Sequence, residues 1–212
     1  MYLPKALRIT EWDVVAAVIR AHPFVSIIAI VDGAPVVTKV PVILHERSVH
    51  FHIARGNELA RIVAEGGALT MLVDGPQSYI SPAFYATPVE VPTWNYILVQ
   101  CRLTARLVDD EGWYREHHDA LVERFERHGW RNELPDEYRR RLYAMMVGVE
   151  ARVESFDAKF KLGQDYPDED FRGVYRALTA ADPASPLARW MRELYGAKLA
   201  WHARRLTTGS RS

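Results

Sequence analysis

Hydrophobic and polar positions recur with two different periods along this chain, and the places where the period switches outline its elements. Residues 24–31, FVSIIAIV, are a short β-branched apolar run that predicts a buried strand. Asp32-Gly33 supplies a hairpin turn before a second strand over residues 35–44, PVVTKVPVIL. Pro41 marks that strand as an edge or a bulge, because proline offers no N–H to a ladder. Residues 48–54, SVHFHIA, alternate cleanly, with Val49, Phe51 and Ile53 facing one way and His50 and His52 the other. Further strands are predicted over residues 68–73 and 94–108, with Asp74-Gly75-Pro76 as a turn and residues 77–85 semi-extended. Residues 147–156, VGVEARVESF, alternate again as a closing strand. Helices are predicted over residues 10–21, 58–67, 110–128, 136–146, 171–178 and 186–202, and TTGSRS reads as a disordered tail.

Hairpin-linked strands with inserted and appended helices make an α+β architecture, built on one small antiparallel barrel. The strand at 147–156 needs the earlier sheet as its partner, which argues against a separate domain beginning near residue 110. The expected division is a barrel domain over residues 1–178 and a helical extension over 179–212.

Composition narrows the function classes. Lys plus Arg and Asp plus Glu both number 27, so the formal net charge is zero. DNA binding rests on clustered positive charge, and a neutral chain gives it no global footing. Arg139-Arg140-Arg141 and Arg204-Arg205 read as solvated helix faces. The lone Cys101 lies in an apolar strand, excludes an internal disulfide and fits a reducing compartment. No apolar run approaches the ~18 residues of a membrane span, and the amino terminus lacks a signal-peptide layout, so the expected location is cytoplasmic.

The familiar chemical signatures are missing: there is no phosphate loop, no GxGxxG after a strand, no GxSxG, HExxH or paired CxxC. His117-His118 points two ways on a helix, which suits solvent better than a metal. His50 and His52 share a strand face and read either as a polar face or as a metal or haem ligand. Thr38 and Lys39 sit mid-strand between valines. Arg55 and Asn57 lie where a strand meets a helix N-terminus, whose unpaired N–H groups suit an anion. Lys159 and Lys161 are read as following the last strand, with Gln164 beyond. Such an inventory suits a phosphate-bearing planar ligand and equally a plain sheet surface.

Several stretches carry a resemblance. MYLPK, HPF at 22–24, the TxxP of Thr38 to Pro41, HIARGN at 52–57, DGPQSYISPAFY, VPTWNY and KFKLGQD occur in that order, followed by Gly173-Val174. Over residues 1 to about 178 the chain resembles the PaiB family of FMN-binding negative transcriptional regulators. That resemblance implies a split β-barrel of the pyridoxamine-phosphate-oxidase-like flavoprotein type. It also implies a homodimer with flavin sites at the subunit interface. It places Thr38, Lys39, His52, Arg55, Asn57, Lys161 and Gln164 on cofactor-contacting segments, with Lys39, Arg55 and Lys161 toward the phosphate or the electron-rich ring edge. Tyr79, Trp94 and Asn95 would shape the cavity. The chain departs from the family pattern at Lys39 and Gln77, where histidines are usual, at Glu58, where proline is usual, and in KLGQDY, where KLSQNR is usual. An ammonium at position 39 keeps a donor and removes a metal ligand.

Three functions follow. The first is an FMN-binding regulator, with or without flavin-dependent redox activity; the second is a haem-binding enzyme on the same fold, for haem degradation or piperazate-synthase-like N–N bond formation, with His52 as axial ligand; the third is a cofactor-free dimeric interaction protein. No metal site is predicted otherwise, and no side chain is assigned as a catalytic acid or base.

Overall fold

The computed structural model describes residues 1–199. After a 3-10 turn at Lys5–Leu7 come β1 (Arg8–Ile9), α1 (Trp12–Ala21), β2 (Phe24–Val31), β3 (Ala34–Pro41), β4 (Ile43–His45), β5 (Ser48–Ala54) and α2 (Glu58–Ala64). The chain continues through β6 (Leu69–Ile80), a second 3-10 turn, β7 (Thr93–Val108), α3 (Glu111–Phe125), α4 (Asp136–Ala144), β8 (Met146–Lys161), α5 (Asp168–Ala181) and α6 (Pro186–Leu199). The TTGSRS tail, Arg204-Arg205 and the predicted end of the last helix lie outside the described residues.

The strands pair in the order β3-β2-β6-β7-β8-β5-β4, with β1 added to β8. The β1–β8, β2–β3, β2–β6, β4–β5 and β5–β8 pairs are all antiparallel. The hydrogen-bonded path has two ends, at β3 and β4, so the sheet is split-barrel-like rather than a closed ring. β2 and β5 match the predicted strands residue for residue.

Three strands differ from the sequence reading. The one expected over residues 35–44 breaks at Val42 into β3 and β4, as a proline at the end of a ladder favours. Asp74-Gly75-Pro76 is no turn: β6 runs straight through it for 12 residues. A Cβ on Gly75 would stand 2.7 Å from Ile97, so the glycine serves close strand packing rather than reversal. Likewise β8 extends to Lys161, so Lys159 and Lys161 lie within the strand and not after it.

The chain forms two compact units. The first comprises Met1–Thr10, Gly75–Leu98 and the chain from Ala158 onward; the second comprises Glu11–Asp74 and Val99–Asp157. Strands β6, β7 and β8 each give residues to both.

In the second unit the alternating strands bury Val25, Ile27, Val49, Phe51, Val149 and Ala151, while α1 buries Val15, Ala16, Val18 and Ile19 at helical spacing. In the first unit Phe160, Leu162, Phe171, Val174, Leu187 and Met191 form the core. There Asp170 of α5 is buried and accepts hydrogen bonds from the Ala86 and Thr87 amides, at 2.7 and 2.9 Å, and from the Thr87 hydroxyl at 2.6 Å. A carboxylate with three donors pins the loop before β7, because every polar group it buries is satisfied.

Candidate functional site

The residues singled out by sequence fall into two sets of five. Thr38, Lys39, His52, Arg55 and Asn57 belong to the second unit; Tyr79, Trp94, Asn95, Lys161 and Gln164 belong to the first.

In the second unit most of the polar side chains already have protein partners. Asn57 caps α2, its Oδ1 accepting from the Leu59 amide at 3.0 Å, and its Nδ2 donates to the Thr38 hydroxyl at 3.1 Å. That cap takes up a helix-end donor which sequence reasoning had offered to an anion. It also ties β3 to the start of α2. Arg55 makes a fork onto Asp109, with both N···O distances 2.9 Å, and its Nε donates to the Ala144 carbonyl at 3.2 Å. The Arg55 guanidinium, aided by the Tyr114 hydroxyl at 2.8 Å, holds the Asp109 carboxyl below its usual range. A phosphate at Arg55 would have to displace Asp109. Lys39 is exposed, with its ammonium 3.3 Å from the Phe24 carbonyl and 5.0 Å from the Phe24 ring centroid.

His52 sits in a cluster that sequence reasoning missed. His117, read as solvent-facing, is only 5% exposed. Its Nε2 lies 3.2 Å from His52 Nδ1 and its ring stacks on Trp113 at 4.8 Å. Trp113 donates from Nε1 to Glu150 at 2.9 Å and packs where a Cβ on Gly148 would meet its ring at 2.4 Å. His118 lies with its ring centroid 5.3 Å from that of His52, and His45 lies 4.2 Å from His50. Trp113 and His117 are four residues apart on α3 and therefore share a face, the signal that could have found them. Burial first, then the neighbouring rings of His52, His118, His50 and His45, pushes the His117 imidazole down to about 3. Burial likewise lowers His50, His52 and His118. The imidazoles of His50, His52, His117 and His118 therefore stay neutral at neutral pH. Among the described residues no group of three or more His, Cys, Asp or Glu is arranged to hold a metal ion.

Two other assignments sharpen here. Arg139, read as part of a solvated run, is buried; it donates to the Leu134 carbonyl at 2.8 Å and pairs with Asp136 at 3.3 Å. Cys101 is buried among apolar strand residues, which pushes its thiol up to about 12 and leaves it inert.

The first unit presents a different picture. Tyr79 and Trp94 are half-exposed and meet edge to face with centroids 6.2 Å apart. Lys161 is occupied internally, its ammonium donating to the Thr93 hydroxyl and, at 3.0 Å, to the Trp94 carbonyl. Gln164 is fully used: Nε2 donates to the carbonyls of Phe160 at 2.6 Å and Ala6 at 3.0 Å, and Oε1 accepts from the Leu162 amide at 2.9 Å. Asn95 stands apart. It is 1% exposed, and neither its Oδ1 nor its Nδ2 has a hydrogen-bond partner. An amide so placed costs on the order of 1–3 kcal/mol for each unmet group, which makes it the most conspicuous polar vacancy of the first unit.

Comparison with known proteins places this geometry. The chain is 27% identical over 207 residues to the protease synthase and sporulation protein PAI 2 of Bacillus subtilis, covering 94% of this chain and 98% of that protein. It is 29% identical over 163 residues to an uncharacterized protein of Aspergillus fumigatus, covering 58% and 62%. Among solved structures, an FAD and haem binding protein of Mycobacterium smegmatis superposes with a TM-score of 0.59 at 18% identity, covering 77% of this chain and 78% of the other. The flavocytochrome Anf3 of Azotobacter vinelandii gives 0.58 at 17% identity, covering 73% and 69%. At such identities these two show a shared fold. The family described as "Putative FMN-binding domain" is matched over residues 1–155, and the chain belongs to that family.

Proposed function

We propose that this protein is a flavin-binding split-barrel protein whose cofactor is FMN. The observation that carries this reading is the family match over residues 1–155. The residues are chemically suited to such a guest. Trp94 and Tyr79 offer half-exposed aromatic surface of the kind a flat ring packs on. The unpartnered Asn95 amide is the type of group that reads the edge of a flavin ring. When bound, the flavin supplies one- or two-electron transfer, while the protein binds, orients and tunes it.

A homodimer is part of this reading. On the β2–β3 hairpin, Ile28 stands opposite Val37, Ile30 opposite Pro35 and Phe24 opposite Pro41, so these side chains share a face. Phe24, Ile30 and Val37 are exposed on it, on either side of the Ser26–Lys39 pair, and apolar surface of this kind calls for a partner. A second copy of the chain is the partner proposed. A regulatory role, if exerted, would act through such protein contacts, since a net charge of zero gives DNA no electrostatic hold.

Haem is the second reading. It is favoured by His52, whose Nδ1 is fixed by a second imidazole in the way that orients an iron ligand.

The visible spectrum of the purified chain after incubation with each cofactor separates these. A band near roughly 450 nm that survives desalting supports flavin, and a sharp band near roughly 400 nm supports haem. A protein that stays colourless with both would leave the dimer alone as its function.

A further inference from the structure

The amino-terminal segment carries a set of cations that the flavin reading does not use. The short ladder between β1 and β8 sets Arg8 opposite Lys159 and Ile9 opposite Ala158. Opposed residues of an antiparallel pair send their side chains to one face, with Cβ atoms roughly 5 Å apart, and like charges so placed repel. Lys5, in the 3-10 turn just before β1, adds a third positive charge.

Several cations elsewhere are taken: Arg55, Arg61, Arg106, Arg152 and Lys198 each have a carboxylate oxygen at ion-pair distance. Lys5, Arg8 and Lys159 have none among the described residues. The segment that carries them is nonetheless held firmly. Leu7 is buried, its amide bonds the Pro4 carbonyl at 3.0 Å, and Gln164 donates to the Ala6 carbonyl at 3.0 Å.

A cavity of about 550 Å³ lies against Leu3, Lys5, Arg8 and Thr10. That volume falls within the ~300–1,000 Å³ typical of small-molecule sites. The Lys159 ammonium is 5.7 Å from the Tyr2 ring centroid and 5.5 Å from that of Tyr96, so aromatic surface borders the charge.

We propose that Lys5, Arg8 and Lys159 form a binding site for a phosphate monoester, whose attached group lies along Leu3, Tyr2 and Tyr96. A monoester carries close to two negative charges and three acceptor oxygens, which matches three cations better than a single carboxylate does. The planar fork of Arg8 suits two of those oxygens at once, and the lysines act as point charges. The ester is either the phosphate end of FMN or a separate phosphorylated metabolite, and the site stands whether or not the chain binds flavin.

Calorimetric titration of the full chain with phenyl phosphate at low salt tests this. The expected result is one site per chain whose affinity falls as salt rises, and falls about tenfold or more in Arg8→Gln, Lys159→Gln and Lys5→Gln. Arg61→Gln, which alters a cation already paired with Glu65, should leave it unchanged. Urea midpoints of the three variants should hold steady or rise, because each relieves repulsion. Displacement of phenyl phosphate by FMN but not by riboflavin assigns the flavin phosphate as the source, and no displacement by FMN assigns a separate metabolite. Absence of phenyl phosphate binding, or equal affinity in all three variants, overturns the site. A chain that binds phenyl phosphate through Arg8 but never takes up FMN would sink the flavin reading and leave this one intact.

Discussion

The polar residues that sequence singled out fare differently in the two units. In the second, Asn57 bonds Thr38 and the α2 amide, Arg55 grips Asp109, and Trp113 bonds Glu150. In the first, Asp170 and Gln164 are equally well served, yet Asn95 is enclosed with both amide atoms unmatched. Polar residues that resemble a ligand's contacts on paper therefore divide once partners are counted. Those with partners hold the fold, and the one without is where an outside group or an ordered water is owed.

The sharpest test of this contrast is Trp113→Ala. It empties the space against Gly148, unstacks His117 and leaves Glu150 with Arg106 as its remaining donor, and should cost about 3 kcal/mol in urea unfolding. A loss below about 1 kcal/mol would mean that α3 is not anchored by this residue.

Acid offers the next largest effect. His117 ordinarily titrates at 6.5 and is pushed down to about 3 in the fold. Between those values the unfolded chain binds the extra proton, so stability is complete above pH 6.5 and drains away as pH falls toward 3. The slope is about 1.4 kcal/mol per pH unit, or on the order of 2 kcal/mol by pH 5. Unfolding midpoints of the parent and of His117→Phe, measured from pH 7.5 to 5, check it; a variant with the parent's slope would clear His117 of responsibility.

Smaller still is Asn57→Ala, which removes the α2 cap and the link to Thr38 and should cost about 1 kcal/mol. Asn95→Leu completes the series. With no protein hydrogen bond to lose and two unmet groups removed, it should raise the stability of the ligand-free chain by about 1 kcal/mol while weakening FMN uptake. A drop above about 1 kcal/mol would place a structural water at Asn95 and remove the contrast. For the dimer, Ile30→Asp should halve the mass seen by light scattering, and an unchanged mass would send the exposed hairpin face to another partner.

Local pattern carried the strands whose two faces differ. Residues 48–54 alternate strictly and residues 24–31 form a short β-branched apolar run, and in each case the neighbours in sequence suffice to define the strand. At Asp74-Gly75-Pro76 the same residue types that make turns instead relieve crowding against Ile97, and only the opposing strand distinguishes the two uses. The site suffered in the same way. The family stretches singled out Arg55 and Gln164, but Asp109 and Ala6, which occupy them, lie 54 and 158 residues away in sequence. His117 was within reach, because its spacing from Trp113 is a helical one; reading His117-His118 as a doublet hid it.

Between His52 Nδ1 and His117 Nε2 there is room for a single hydrogen, so the tautomer of one ring dictates that of the other. If His117 is the donor, its unpartnered Nδ1 is left as a bare lone pair, which burial tolerates better than an orphaned N–H. His52 then carries its own hydrogen on Nε2, the outward nitrogen. Iron could be ligated there only after that hydrogen moves inward and His117 flips to its costlier form, so metal capture by His52 would be billed to a residue that never touches the metal.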